Sequence, residues 1–222
     1  MQEIGVPGLN LAYAKEYATI ASTMYTTFVF TGGKILLSNS SNITSARVGL
    51  FGDALEIDET SAVLTSGLGC PAGQGMGMGF KDDEIAKFCP GSGASHGGFG
   101  GPGVAKSIYS RYQFICNSMV NINYGDNKNP IFEGSGGGIS SYSPNGGSGG
   151  GVVIIAARTV QIDGQVTADG RPGGTERTIN GGAGSGGSIQ IHSVVKLTGS
   201  GAISAKGGDS LNNNGFGKRE RF

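Results

Sequence analysis

Along Ile189-Gln190-Ile191-His192 apolar and polar side chains alternate, which predicts a strand with one buried and one wet face. Val152-Val153-Ile154-Ile155 is apolar at every position. It predicts a strand covered on both faces, the outer one by a glycine loop or a neighbouring chain. The two segments belong to a longer pair that aligns without gaps at an offset of 37 residues, Val152 against Ile189. Val160 then falls on Leu197, Val166 on Ile203 and Ala168 on Ala205. Each copy predicts three short strands; in the first they span 152–157, 159–162 and 165–168, with breaks near Arg158 and at Asp163-Gly164. An earlier, more divergent copy runs from Val48-Gly49-Leu50-Phe51 through Leu55-Glu56-Ile57-Asp58 to Val63-Leu64-Thr65-Ser66-Gly67. Residues 9–24 alone suggest a helix.

A repeat of 20 to 50 residues marks stacked arrays. Short strands turning at Gly and Asp, with like side chains stacked about 4.8 Å apart, predict an all-β chain folded as a parallel β-solenoid with long ordered glycine-rich loops. The alternative is a β-sandwich with the same strands paired antiparallel. Three regions follow. Residues 1–45 form an N-terminal segment serving as an assembly contact, 46–208 the glycine-rich β-repeat domain, and 209–222 a C-terminal tail.

Composition sharpens this picture. Glycine supplies 44 of 222 residues, about three times the usual share. Each ordered Gly costs roughly 0.5–1 kcal/mol more backbone entropy than Ala, so ordered glycines are expected where backbones must pack closely. The tracts 69–79, 91–103, 134–151 and 170–187 carry too little apolar surface for a core. They are expected to run as extended polyproline-II-like or turn segments laid on the strands, their polar groups satisfied by close neighbours. Sixteen basic and 16 acidic residues give zero net charge, which argues against nucleic-acid binding. No apolar run approaches the ~20 residues of a membrane-spanning helix, so membrane insertion is not expected.

Cys70, Cys89 and Cys116, with the tandem glycosylation sequons at Asn39 and Asn42, point to an oxidising, secretory route and an extracellular or cell-surface location. A Cys89–Cys116 disulfide would close the glycine-rich loop between them; Cys70–Cys89 is the rival pairing. The N-terminus lacks the basic and apolar regions of a signal peptide, and the chain ends soon after Gly207-Gly208, so a fragment of a longer secreted protein is expected.

Glycine-rich runs also imitate motifs. Gly93-Ala94-Ser95-His96-Gly97 fits G-x-S-x-G, but glycine and proline on both sides leave no strand before it or helix after it. The same objection meets Gly98–Gly103 as a dinucleotide fingerprint. Three Cys and two His do not form a zinc spacing. Turns at Asp82-Asp83-Glu84, Asp126-Asn127-Lys128-Asn129 and Gly207-Gly208-Asp209 lack a calcium repeat. Asp53, Asp58, Asp163 and Asp169 offer no recurrent carboxylate pair for glycoside chemistry. No catalytic residue, cofactor or metal site is therefore assigned. His96 is read as a packing residue whose ring nitrogens bond to glycine carbonyls.

The run from Gly91 to Gly101, Tyr124-Gly125-Asp126, Pro130, Gly134-Ser135-Gly136-Gly137-Gly138 and the two strand repeats led by Ser-Gly-Gly form an ordered pattern. Over residues 46–208 it resembles the glycine-rich β-helical repeat region of large secreted surface proteins of protists and bacteria. The resemblance implies an extracellular region of structural or adhesive use, with no catalytic site to carry over. The expected function is a structural protomer of an extracellular filament, sheath or coat that binds copies of itself head to tail or by edge strands. An adhesin-type stalk or glycan-binding module, meeting surface glycans, is the alternative, and a β-helical carbohydrate-active enzyme comes third.

Overall fold

The computed structural model describes residues 26–80, 91–101, 122–139, 146–176 and 179–209. Its regular elements are strands: β1 (Thr26–Phe30), β2 (Lys34–Leu37), β3 (Asn42–Thr44), β4 (Arg47–Ile57), β5 (Ala62–Leu64), β6 (Val152–Ile162), β7 (Gln165–Thr167), β8 (Thr175–Glu176), β9 (Ile179–Asn180), β10 (Ser188–Thr198) and β11 (Ala202–Ser204). The suggested helix at 9–24 lies outside the described residues. No described helix is long and apolar enough to cross a membrane.

Two compact units divide the chain. The sheet unit takes Met1–Thr65, Val153–Thr167 and Ile189–Ser204; the glycine unit takes Ser66–Val152, Ala168–Ser188 and Ala205–Phe222. The first sheet of the sheet unit runs β1-β4-β6-β10, with β2 also on β4; the second runs β11-β7-β5-β3. Parallel pairing joins β1 and β2 to β4, and β3 to β5 to β7 to β11. Register places Ile43, Val63, Val166 and Ile203 in one row across the second sheet. The 37-residue offset is thus a register: Val166 lies opposite Ile203, and Ala202 opposite Gln165.

The core of this unit comes from apolar positions of alternate parity. Val48, Leu50, Leu55 and Ile57 of β4 pack with Val153, Ile155, Ala157, Val160 and Ile162 of β6, and with Val63 and Val166. In β4 and β6 the inward set changes phase midway, from Leu50 to Leu55 and from Ala157 to Val160. Such a phase change is the mark of a bulge-like bend. Asp53 and Arg158 stand at these bends, 3.5 Å apart. The strand break expected near Arg158 is therefore a bend inside one eleven-residue strand. Apart from this cluster, the exposed Phe30 stacks on the buried Phe51 with centroids 4.7 Å apart. A side chain at Gly49 would collide with the neighbouring Phe28 ring.

These findings correct the fold class. The β-solenoid expected over residues 46–208 is replaced by two sheets of parallel strands confined to one unit, and parallel pairing also excludes the antiparallel sandwich. The physical reason lies in the glycines. Tracts without side chains cannot supply the inward apolar positions of a coil, so they gather into a second unit. There the strands β8 and β9 form one short antiparallel pair.

The glycine unit is built by backbone hydrogen bonds. Consecutive donors at Gly136, Gly137 and Gly138 go to three segments, at Gln74 (2.9 Å), Gly147 (2.8 Å) and Ser92 (2.8 Å). Every third residue returns to the same neighbour. Cys70 and Gly73 donate to Gly134 and Gly137, Gly134 and Gly137 to Gly150 and Gly147, and Gly147 and Gly150 to Gly182 and Ser185. A period of three belongs to an extended helix of polyproline-II type. Such segments bond sideways in several directions, whereas a strand bonds in one plane. A methyl group at Gly182 would land on the Ser92 carbonyl oxygen, so this spacing admits only glycine. The tracts expected to lie on strands bond largely to one another.

Candidate functional site

Side chains in the glycine unit meet at one polar node. Ser135, fully buried, accepts from Gly77 N–H (2.9 Å) and donates to the Tyr124 hydroxyl (2.8 Å). Tyr124 donates to the Glu133 carbonyl, and Ser135 N–H donates to Ser185 Oγ at 2.8 Å. Burial pushes the Tyr124 phenol up to about 12, so it stays neutral as a brace. The half-buried His96 ring lies 4.6 Å from the Tyr124 ring, and its Nδ1 is 2.9 Å from the Gly186 carbonyl oxygen. Desolvation lowers the His96 pKa below its ordinary value.

Turn carboxylates form a second set, in the sheet unit. Asp58 accepts from Thr60 N–H and Oγ1 and, across to the preceding turn, from Asn39 N–H at 2.8 Å. Hydrogen bonds, first from the Ser61 hydroxyl and then from Thr60 and Asn39, hold its carboxyl down at about 2 against a weaker desolvation effect. Asp163 accepts from Gln161 Nε2 (2.7 Å) and from Ser200 N–H (3.0 Å) in the following turn. The Gln161 and Ser200 donors lower its pKa. Each carboxylate thus ties an inner turn to an outer one.

The residues singled out from sequence are dispersed. Asn39 and Asn42 are both exposed, Asn39 at φ 57° in the turn between β2 and β3 and Asn42 at the start of edge strand β3. Cys70 is half-buried, while Cys89 and Cys116 lie outside the described residues. Ser95 is buried and its Oγ accepts from Gly100 N–H (3.0 Å), in a stretch, 91–101, of neither helix nor strand. Of the G-x-G-x-x-G run, Pro102 and Gly103 fall outside the described residues, as does the turn at 82–84. Asp126 accepts from Lys128 N–H at 2.8 Å. Asp53 pairs with Arg158, and Asp169 accepts from Lys206 N–H at 2.6 Å. Among the described residues, no three His, Cys, Asp or Glu side chains gather as a metal site would require.

Tyr124, Ser135 and the Asp58 and Asp163 ties were not assigned from the sequence. Asp58-Glu59-Thr60 carries the local signal of an Asx turn, but the reach to Asn39 depends on register. The node carries no local signal, because its members come from five separate segments. The chain matches no protein-family model, no curated protein and no solved structure. Its class rests on its own architecture: parallel sheets in one unit and a hydrogen-bonded glycine lattice in the other.

Proposed function

We propose that this chain is a structural, non-catalytic protomer of an extracellular filament, sheath or surface coat. The carrying observation is a contrast between equivalent positions. Val160 and Val166 are 1% and 0% exposed, whereas Leu197 and Ile203, their counterparts in the last strands, are 54% and 50% exposed. Val194 and Val195 of β10 add to this uncovered apolar edge at 66% and 64%. Strand edges with unpaired backbone groups are templates for another chain.

The ends of the sheets differ. One is formed by β1, β2 and β3, the other by β10 and β11. Contact between unlike ends is heterologous, and where the rotation does not close it gives a fibre. The exposed sequons Asn39 and Asn42 and the resemblance to repeat regions of secreted surface proteins support the extracellular setting. A second reading, an adhesin-type module for surface glycans, draws on exposed apolar side chains in irregular segments of the glycine unit, Phe99 at 71% and Ile122 at 79%.

Electron microscopy of the purified protein, with lysine cross-linking of a mixed-isotope sample, tests the assembly. Fibres or sheets joined by Lys34–Lys196 links between copies are expected, and both lysines are exposed. Leu197→Asp/Ile203→Asp should leave the fold intact and abolish the assemblies. Dispersed monomers at every concentration would overturn the structural reading and leave the glycan-binding module.

A further inference from the structure

The second sheet ends on β11 at one side and on β3 at the other. Along a strand, neighbouring residues aim their N–H and C=O groups to opposite sides. Ala62 N–H donates to Ser41 O (3.1 Å) and Ser45 N–H to Leu64 O (3.4 Å), so positions 41, 43 and 45 bond toward β5. The amides and carbonyls of Asn42 and Thr44 therefore face out from the sheet. At the other edge Ala202 N–H donates to Gly164 O (2.9 Å), so Ala202 bonds toward β7 and the backbone of Ile203 faces out. These two edges complement each other in a parallel ladder. Ile203 N–H can donate to Asn42 O of a second copy, and Thr44 N–H of that copy to Ile203 O. Side chains select the same register. Ile43, Val63, Val166 and Ile203 form one row, and Ile43 of a second copy continues it over Ile203, which is 50% exposed. A slip of two residues brings Ser41 or Ser45 there instead, and a slip of one turns Ile43 to the other face.

We propose that β3 of one copy adds in parallel to β11 of the next, with Ile43 beside Ile203 and Asn42 beside Ala202. This inference rests on the assembly reading above and specifies its joint. A two-fold contact of β11 with another β11 also covers Ile203, but it leaves both β3 edges open. The unlike pairing closes one edge of each kind at every contact and so leaves no template inside the assembly.

Residues paired across adjacent strands stand about 4.8 Å apart, within reach of a disulfide. Full chains carrying Asn42→Cys and Ala202→Cys, both at exposed positions, are mixed under mild oxidation, and the bonds are mapped by peptide mass spectrometry. A 42–202 bond joining two chains is expected in the mixture and in neither variant alone. Thr44→Cys mixed with Ala202→Cys lies two residues out of register, about 8 Å apart, and should give at least about tenfold less product. Thr44→Pro removes an outward amide and no hydrogen bond to β5, so it should keep the circular dichroism of the natural chain and lose the assemblies. Assemblies without the 42–202 bond, a prevalence of 44–202 or 202–202 bonds, or assembly by folded Thr44→Pro would overturn this joint and leave the assembly reading standing. A natural chain that stays monomeric overturns both. If Thr44→Pro does not fold, the cross-links decide.

Discussion

In the sheet unit the apolar residues with no exposure are Val63, Val153, Ile155 and Val166, all members of one apolar cluster. In the glycine unit Ser95 and Ser135 are buried as completely, and their hydroxyls bond to backbone amides. The first unit is held by side chains taken out of water, at roughly 25 cal/mol per Å² of apolar surface. The second is held by a mesh of peptide hydrogen bonds, each contributing a net ~1 kcal/mol. Such a mesh tolerates no side chain at positions such as Gly182, where a methyl group would land on the Ser92 carbonyl oxygen. A fold can therefore be ordered without an apolar core if its backbones approach closely enough to satisfy one another.

The largest test of this comparison substitutes the centre of each unit. Leu55→Ala removes a side chain 1% exposed and should cost about 2–5 kcal/mol in denaturant unfolding. Gly182→Ala adds one carbon and should cost at least ~1–3 kcal/mol by overpacking against the Ser92 carbonyl. Gly101→Ala, with open space around it, should stay within about 0.5 kcal/mol. If Gly182→Ala proves as harmless as Gly101→Ala, close backbone contact is not what orders the lattice.

A smaller effect is expected at the polar node. Tyr124→Phe removes the hydroxyl that bonds to Ser135 and to the Glu133 carbonyl, leaving the buried Ser135 hydroxyl without the acceptor for its proton at a cost of about 1–3 kcal/mol. Exchange of the Gly77 amide, which donates to Ser135 Oγ, should quicken. An unaltered melting temperature and unaltered exchange would make the node incidental.

The smallest effect belongs to the turn carboxylates. Asp58, held at about 2, contributes stability that is complete above its ordinary pKa near 3.9. That contribution is lost as pH falls through about 2. Asp58→Asn should therefore weaken the protein at neutral pH and flatten its acid denaturation between pH 4 and pH 2, most visibly in exchange of the Asn39 amide. An acid curve identical to that of the natural chain would remove the tie from the account.

The offset between residues 152–168 and 189–205 set which side chains would lie opposite one another, because parallel neighbours with the same apolar spacing can bury it only in register. The echo of Val63 in Val166 worked in the same way across 103 residues. Alternation named Ile189 and Ile191, which lie half-buried against the core, but Gln190 between them, expected on the wet face, is itself buried; the surplus of glycine announced close backbone packing. What the sequence by itself did not determine was the company each segment keeps. Strand patterns alone suggested a continuous coil, since periodicity reports which face of a segment is apolar and not where the sheet stops. Glycine has no face at all. The partners of Gly137, Gly147 and Gly182, and the meeting of His96, Tyr124 and Ser135, were decided only by the tertiary structure. Hydrogen bonds between peptide groups are the same for every residue type, so the order of residues carries no mark of which two will meet.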